Sequence, residues 1–130
     1  MIKKTIVDAY KMNVLSLAFL GDAIHSMYVR EKIVFSGDYK QKDMQEKSSS
    51  IVRASSQAKT LDSILHLLND KEADIVRRAR NAKTNNIAKN STIEDYKKST
   101  AYEALIGYLY VSKEEKRMLQ FLEKSLEDNV

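Results

Sequence analysis

The chain has 130 residues, 43% of them hydrophobic and 31% charged, which suits one compact domain with its own core and a soluble surface. No apolar run reaches the ~20 residues that a membrane-spanning helix needs; the N-terminal Met1-Ile2-Lys3-Lys4 is not followed by a secretory apolar stretch, and zero cysteines exclude disulfides and thiolate metal sites. The 22 Lys and Arg outweigh 18 Asp and Glu for a net charge of +4, a balance that permits a nucleic-acid partner without demanding one.

Proline is absent, helix formers dominate, and β-branched residues do not alternate with polar ones, so an all-α domain of five to seven helices is expected. Asn13 is placed to cap a helix running to about Val34, with Val14, Leu17, Ala18, Gly21, Ile24 and Tyr28 on its core face. Ser36-Gly37-Asp38 reads as a loop. A second helical stretch covers about Gln41 to Leu68, with one break expected near Thr60-Leu61-Asp62. Asn69-Asp70 caps a short basic helix from Lys71 to about Ala82. Thr84 to Thr92 lacks apolar periodicity and reads as a loop. Thr92 to Asp95, or Ser99, opens the next helix, which reaches about Val111; Ser112 to Glu115 opens the last, striped by Met118, Leu119, Phe121, Leu122 and Leu126.

Two apolar helices are each broken by one acid beside a glycine: Leu17-Ala18-Phe19-Leu20-Gly21-Asp22-Ala23-Ile24 and Ala101-Tyr102-Glu103-Ala104-Leu105-Ile106-Gly107. A carboxylate in such a run is costly to bury without a compensating cation. Glycine within a helix costs roughly 1 kcal/mol against alanine and marks a close approach. The pairing suggests two packed helices presenting Asp22 and Glu103 to a shared cation, and oxygen-rich sites of this kind suit Mg²⁺ or Mn²⁺. The alternative for each is a surface acid facing water or a salt bridge; for Asp22, Phe19, Ala18, His25 and Tyr28-Val29 crowding the same side weigh against it. His25 reads as a hydrogen-bonded packing residue, and the tyrosines as core or interface residues.

Arg77 to Asn90 carries five positive charges, four asparagines and no acid. Lys and Arg neutralise phosphates, and Asn side chains reach sugar hydroxyls. Arg77, Arg78, Arg80 and Asn81, with Lys83, Asn85 and Lys89, are the candidate RNA contacts, against a solvated basic loop as the alternative. Arg53 and Gln57 form a second, less specific polar cluster.

The segment Leu17 to Ile24 resembles the signature helix of ribonuclease III catalytic domains, and Ser99 to Leu109 resembles that family's second acidic helix. With Arg80-Asn81-Ala82-Lys83 and Ser48 to Ala58, the likeness is closer still to Mini-ribonuclease III, the miniature bacterial branch, and extends from about Asn13 to about Lys116. The resemblance implies a ribonuclease III-like all-α endonuclease fold and a cytoplasmic, Mg²⁺-dependent homodimer. It implies hydrolysis of double-stranded RNA by metal-bound water, one strand per subunit, in large-subunit ribosomal RNA precursors, with Asp22 and Glu103 as the metal-binding catalytic acids. Contact with the ribosome precursor or a ribosomal protein is left open.

Two acids usual in full-length members are replaced here by Ala18 and Thr100, and a third has only Asp43 and Glu46 near its place. Fewer protein ligands to the ion are therefore expected. The chain ends at Val130, so a single catalytic domain without a double-stranded-RNA-binding domain is expected, with strongly salt-dependent affinity. The missing acids also motivate a rival, a non-catalytic RNA-binding protein of the same fold. Metal-independent binding without cleavage would mark it, and indifference to RNA would mark a purely helical interaction module.

Overall fold

Asn13 begins the first helix by local chemistry: its side-chain oxygen accepts from the Leu15 amide at 2.8 Å, satisfying one of the donors that a helix start leaves free. The computed structural model describes residues 8–83 and 91–129. Six α-helices follow: α1 (Val14–Ser36), α2 (Gln41–Val52), α3 (Ala54–Ile64), α4 (Asp70–Asn81), α5 (Ile93–Val111) and α6 (Glu115–Asn129), with no strand among the described residues. Short 3₁₀ turns lie at Ala9–Lys11 and Leu65–Leu67.

The long stretch after Gln41 breaks at Arg53, not near Thr60 to Asp62 as expected. Arg53 is extended (φ −62°, ψ 157°); its amide closes α2 on Ser49 O while its carbonyl starts α3. Serines that compete for backbone partners surround the joint: Ser50 Oγ donates to Lys47 O, and Ser56 Oγ reaches back to Ser50 O at 2.6 Å. Thr60 to Asp62 stays helical because Leu61 and Ile64 are buried and Asn129 of α6 donates to Thr60 Oγ1.

α4 opens with a capping box: Asn69 accepts from the Glu72 amide, and the Glu72 carboxylate accepts from the Asn69 amide. That carboxylate is 2% exposed and is held by Arg117 of α6 through Nε at 3.0 Å and Nη2 at 2.9 Å. Burying this charge is tolerable only because it is fully paired.

α5 runs through the middle, packed on α1, α3 and α4. Its residues from Ala101 to Leu109, Glu103 excepted, are buried, as expected for a helix apolar all round. Tyr102 and Phe121 are fully buried, and the Tyr102 hydroxyl donates to Phe121 O at 2.9 Å. Rings of this size contribute roughly 3–5 kcal/mol each by area. On α1 the buried face is Val14, Leu17, Ala18, Gly21, His25, Val29 and Ile33; His25 takes the core position expected of Ile24, which is half-buried.

Candidate active site

Gly21 and Gly107 set the distance between α1 and α5. A Cβ on Gly21 would lie 1.7 Å from the Glu103 carbonyl oxygen, and one on Gly107 would lie 2.0 Å from that of Leu17. No flexible side chain could move aside, since both obstacles are backbone. The helices therefore touch main chain to main chain, and Asp22, next to Gly21, meets Glu103 on the facing helix.

The two carboxyls interact directly. Burial first, then the charge of Asp22 and a hydrogen bond shared with it, push Glu103 up to about 9, while the Gln57 side chain pulls the other way. Glu103 is half-buried and Asp22 exposed, so the pair opens to solvent on the Asp22 side. Two crowded carboxyls that resist shared ionisation fit a divalent cation, which relieves both the repulsion and the desolvation. Hard oxygen donors suit Mg²⁺ or Mn²⁺, and Mg²⁺ keeps several waters when the protein offers few ligands. No cluster of three or more Asp, Glu, His or Cys occurs among the described residues. Ala18 is packed in the core, and the Thr100 hydroxyl donates to Tyr96 O at 3.0 Å, so neither position adds a ligand.

The expected crowding around Asp22 is found only in part: Ala18, His25 and Val29 are buried and Tyr28 half-buried, but Phe19 does not belong to it. Phe19 is 84% exposed and points away from the core, so the exposure of Asp22 comes from the turn of α1 that it shares. It remains beside the acid site because Gly21 brings the facing helix up to it.

A polar chain runs beneath the acids. Ser125 Oγ donates to Leu122 O at 2.6 Å, so His25 Nε2, 2.9 Å away, must donate to Ser125. Nδ1 of His25 then accepts, and Gln57 Nε2 donates to it at 2.9 Å. The Gln57 carbonyl faces Ser99 Oγ and accepts from it. One hydroxyl at Ser125 thus orients every dipole in the chain, provided that His25 is neutral. Burial holds its imidazole down at about 4, against the pull of Asp22, consistent with that requirement. His25 also meets the Tyr102 ring edge-on at 5.2 Å.

This places Gln57 elsewhere than expected. It is 1% exposed and bonded on both sides, so it is no RNA contact. The signal was present in the sequence: Gln57, Leu61 and Ile64 share one helical face, and the latter two are core residues. Ser99, read only as a candidate cap, is inside the same network, while Thr92 caps α5 by accepting from the Asp95 amide.

The basic candidates divide. Arg77, Asn81 and Lys83 are exposed at the end of α4, and Arg80 is half-exposed. Arg77 pairs with Asp74, and Arg80 reaches Glu94 of α5 at 2.6 Å. Arg77, Arg80, Asn81, Glu94 and Lys97 line an open groove between α4 and α5. Arg78 is spent on structure, donating to Tyr10 O at 2.7 Å and Met12 O at 3.1 Å, which ties the N-terminal turn to α4. Arg53 is exposed at the joint between α2 and α3. Asn85 and Lys89 lie outside the described residues.

Comparison with known proteins adds four matches. The model of the Ribonuclease III domain matches residues 15–114. A Mini-ribonuclease 3 of Staphylococcus aureus is 42% identical over 115 residues, 87% of this chain and 86% of the relative. One from Brevibacillus brevis is 41% identical over 118 residues, 91% of this chain and 88% of the relative. The crystal structure of a Fusobacterium nucleatum protein superposes with a TM-score of 0.84 at 29% identity, covering 96% of this chain and 100% of the other.

Proposed function

This chain belongs to the ribonuclease III domain family, within its Mini-ribonuclease 3 branch, and is an endoribonuclease; from that premise we propose that it cleaves double-stranded stems of large-subunit ribosomal RNA precursors, as a Mg²⁺-dependent homodimer in the cytoplasm. The observation that carries the reading is the glycine-mediated contact of α1 and α5, which presses the Asp22 and Glu103 carboxyls together at a solvent-open edge.

Asp22 and Glu103 would hold the ion, which when bound supplies charge neutralisation at the scissile phosphate. Asp22, exposed, would face the incoming RNA, and Glu103, half-buried, would hold the ion from the protein side. Arg77, Arg80, Asn81 and Lys83 offer cations and amides to phosphates and sugar hydroxyls, and Arg53 adds a second contact. Asn85 and Lys89 are proposed RNA contacts on sequence grounds alone. No helix among the described residues is long and apolar enough to cross a membrane.

The homodimer is supported by an apolar strip along α1 that nothing among the described residues covers. Phe19, Met27, Val34 and Phe35 are 84%, 69%, 56% and 79% exposed, an arrangement that a monomer seldom leaves bare. A two-fold pairing through this strip would present two acid pairs to the two strands of one duplex.

The test is cleavage of a structured precursor RNA in Mg²⁺ by wild type and Asp22→Asn. A loss of at least ~100-fold in rate is expected for the variant, with RNA affinity retained. Equal cutting by both proteins would remove Asp22 from the reaction.

A further inference from the structure

We propose that Gln57 is a positioning residue: its buried amide, clamped between His25 on α1 and Ser99 on α5, holds the two helices in the register that sets Glu103 opposite Asp22 for a divalent ion. The inference rests on the reading of Asp22 and Glu103 as the metal-binding acids.

Geometry carries it. Gln57 belongs to α3, a helix that bears neither acid. Its Nε2 donates at 2.9 Å to His25, which lies one turn after Asp22; its Oε1 accepts from Ser99, one turn before Glu103. The two bonds leave the amide no freedom to rotate or to exchange its ends. The amide therefore ties the turn that follows Asp22 to the turn that precedes Glu103. At a site with only two protein carboxylates, one from each helix, the relative placement of those two turns governs how well the ion is bound. Partners behind a ligand commonly change metal affinity or activity by about 10–100-fold when lost. His25 and Ser125 continue the chain away from the acids and set the direction of its dipoles.

The test uses Gln57→Met, which keeps the length of the side chain and removes its amide. Binding of Mn²⁺ to the RNA-free dimer, read by electron paramagnetic resonance, is expected to weaken about 10-fold. The Mg²⁺ concentration that half-saturates stem cleavage is expected to rise by a similar factor, with KM for RNA within about two-fold of wild type. Arg117→Met, which strands the buried Glu72 carboxylate elsewhere in the fold, lowers Tm and is expected to leave Mn²⁺ binding intact. Wild-type Mn²⁺ affinity in folded Gln57→Met overturns the proposal, as does an equal loss in Arg117→Met. Should Gln57→Met not fold, Ser99→Ala removes the hydroxyl that holds the amide oxygen to α5, and a shift of about 3-fold in the same direction is expected; no shift overturns the proposal. A wild-type protein that binds no Mn²⁺ would refute the metal reading of the acid pair itself, a result separable from any of the variants.

Discussion

Glu103 is the residue on which stability and activity pull in opposite directions. Its carboxyl is raised from the ordinary value to about 9 in the metal-free fold, by burial and then by Asp22. Between the ordinary value of 4.5 and about 9 the unfolded chain releases a proton that the folded chain retains. The contribution is therefore fully present below about 4.5 and is lost as pH rises through that window. Glu103→Gln removes this dependence. It is expected to raise the metal-free stability at pH 7 by about 1–3 kcal/mol while abolishing cleavage. Denaturant titrations of both proteins at pH 5 and pH 8, in a chelator, check it: the gap should widen at the higher pH. A divalent ion should narrow it by stabilising wild type alone.

α1 and α5 meet so closely that their geometry depends on two hydrogen atoms in place of methyl groups. Gly107→Ala puts a Cβ 2.0 Å from Leu17 O, and relief requires the helices to separate. A loss of about 3 kcal/mol or more is expected, together with loss of Mg²⁺-dependent cleavage, because separation also parts Asp22 from Glu103. Thermal melts and the cleavage assay read the two effects. A different device ends α5. Lys113 has φ 61°, its amide donates to Tyr110 O, and the Glu114 amide reaches Leu109 O at 2.9 Å, the hydrogen-bond pattern of a helix-terminating motif that favours glycine. Lys113→Gly should stabilise the fold by about 0.5–1 kcal/mol with activity unchanged, seen as a higher denaturation midpoint at constant slope.

At the scale of the molecule, α1 carries an apolar face that no other described element covers. The strip from Phe19 to Phe35 lies along α1, the helix that carries Asp22, so assembly through it would place two acid pairs in fixed register. Phe19→Glu sets a charge where a ring is 84% exposed, so the isolated fold has little to lose. Sedimentation is expected to show a shift from dimer to monomer and a loss of paired-strand cleavage, with Tm in the monomeric limit unchanged within a few degrees. Retention of the dimer would place the interface elsewhere.

Much of this architecture was legible in local spacing. Asn13 and Asn69 announced helix starts because capping is a contact between neighbours in sequence, and the apolar run around Glu103 announced a buried helix. Gly21 and Gly107, placed beside the acids, pointed to a close helix contact before any helix was positioned. Phe19 and Arg78 were beyond that reach, and so were the partners of Gln57, whose burial alone was legible from its helical face. Each is polar or apolar on its own terms, yet its role depends on what distant segments bring up to it. His25 and Ser99 enclose the amide, no segment among the described residues covers the ring, and two backbone carbonyls near Tyr10 claim the guanidinium. The site of the helix break likewise followed from Asn129 and the core holding Thr60 to Ile64 in place, leaving Arg53 to open. Periodicity carries information over one or two turns; burial and the direction of a hydrogen bond are properties of the packed whole, because a donor's partner is chosen only once the chain has closed around it.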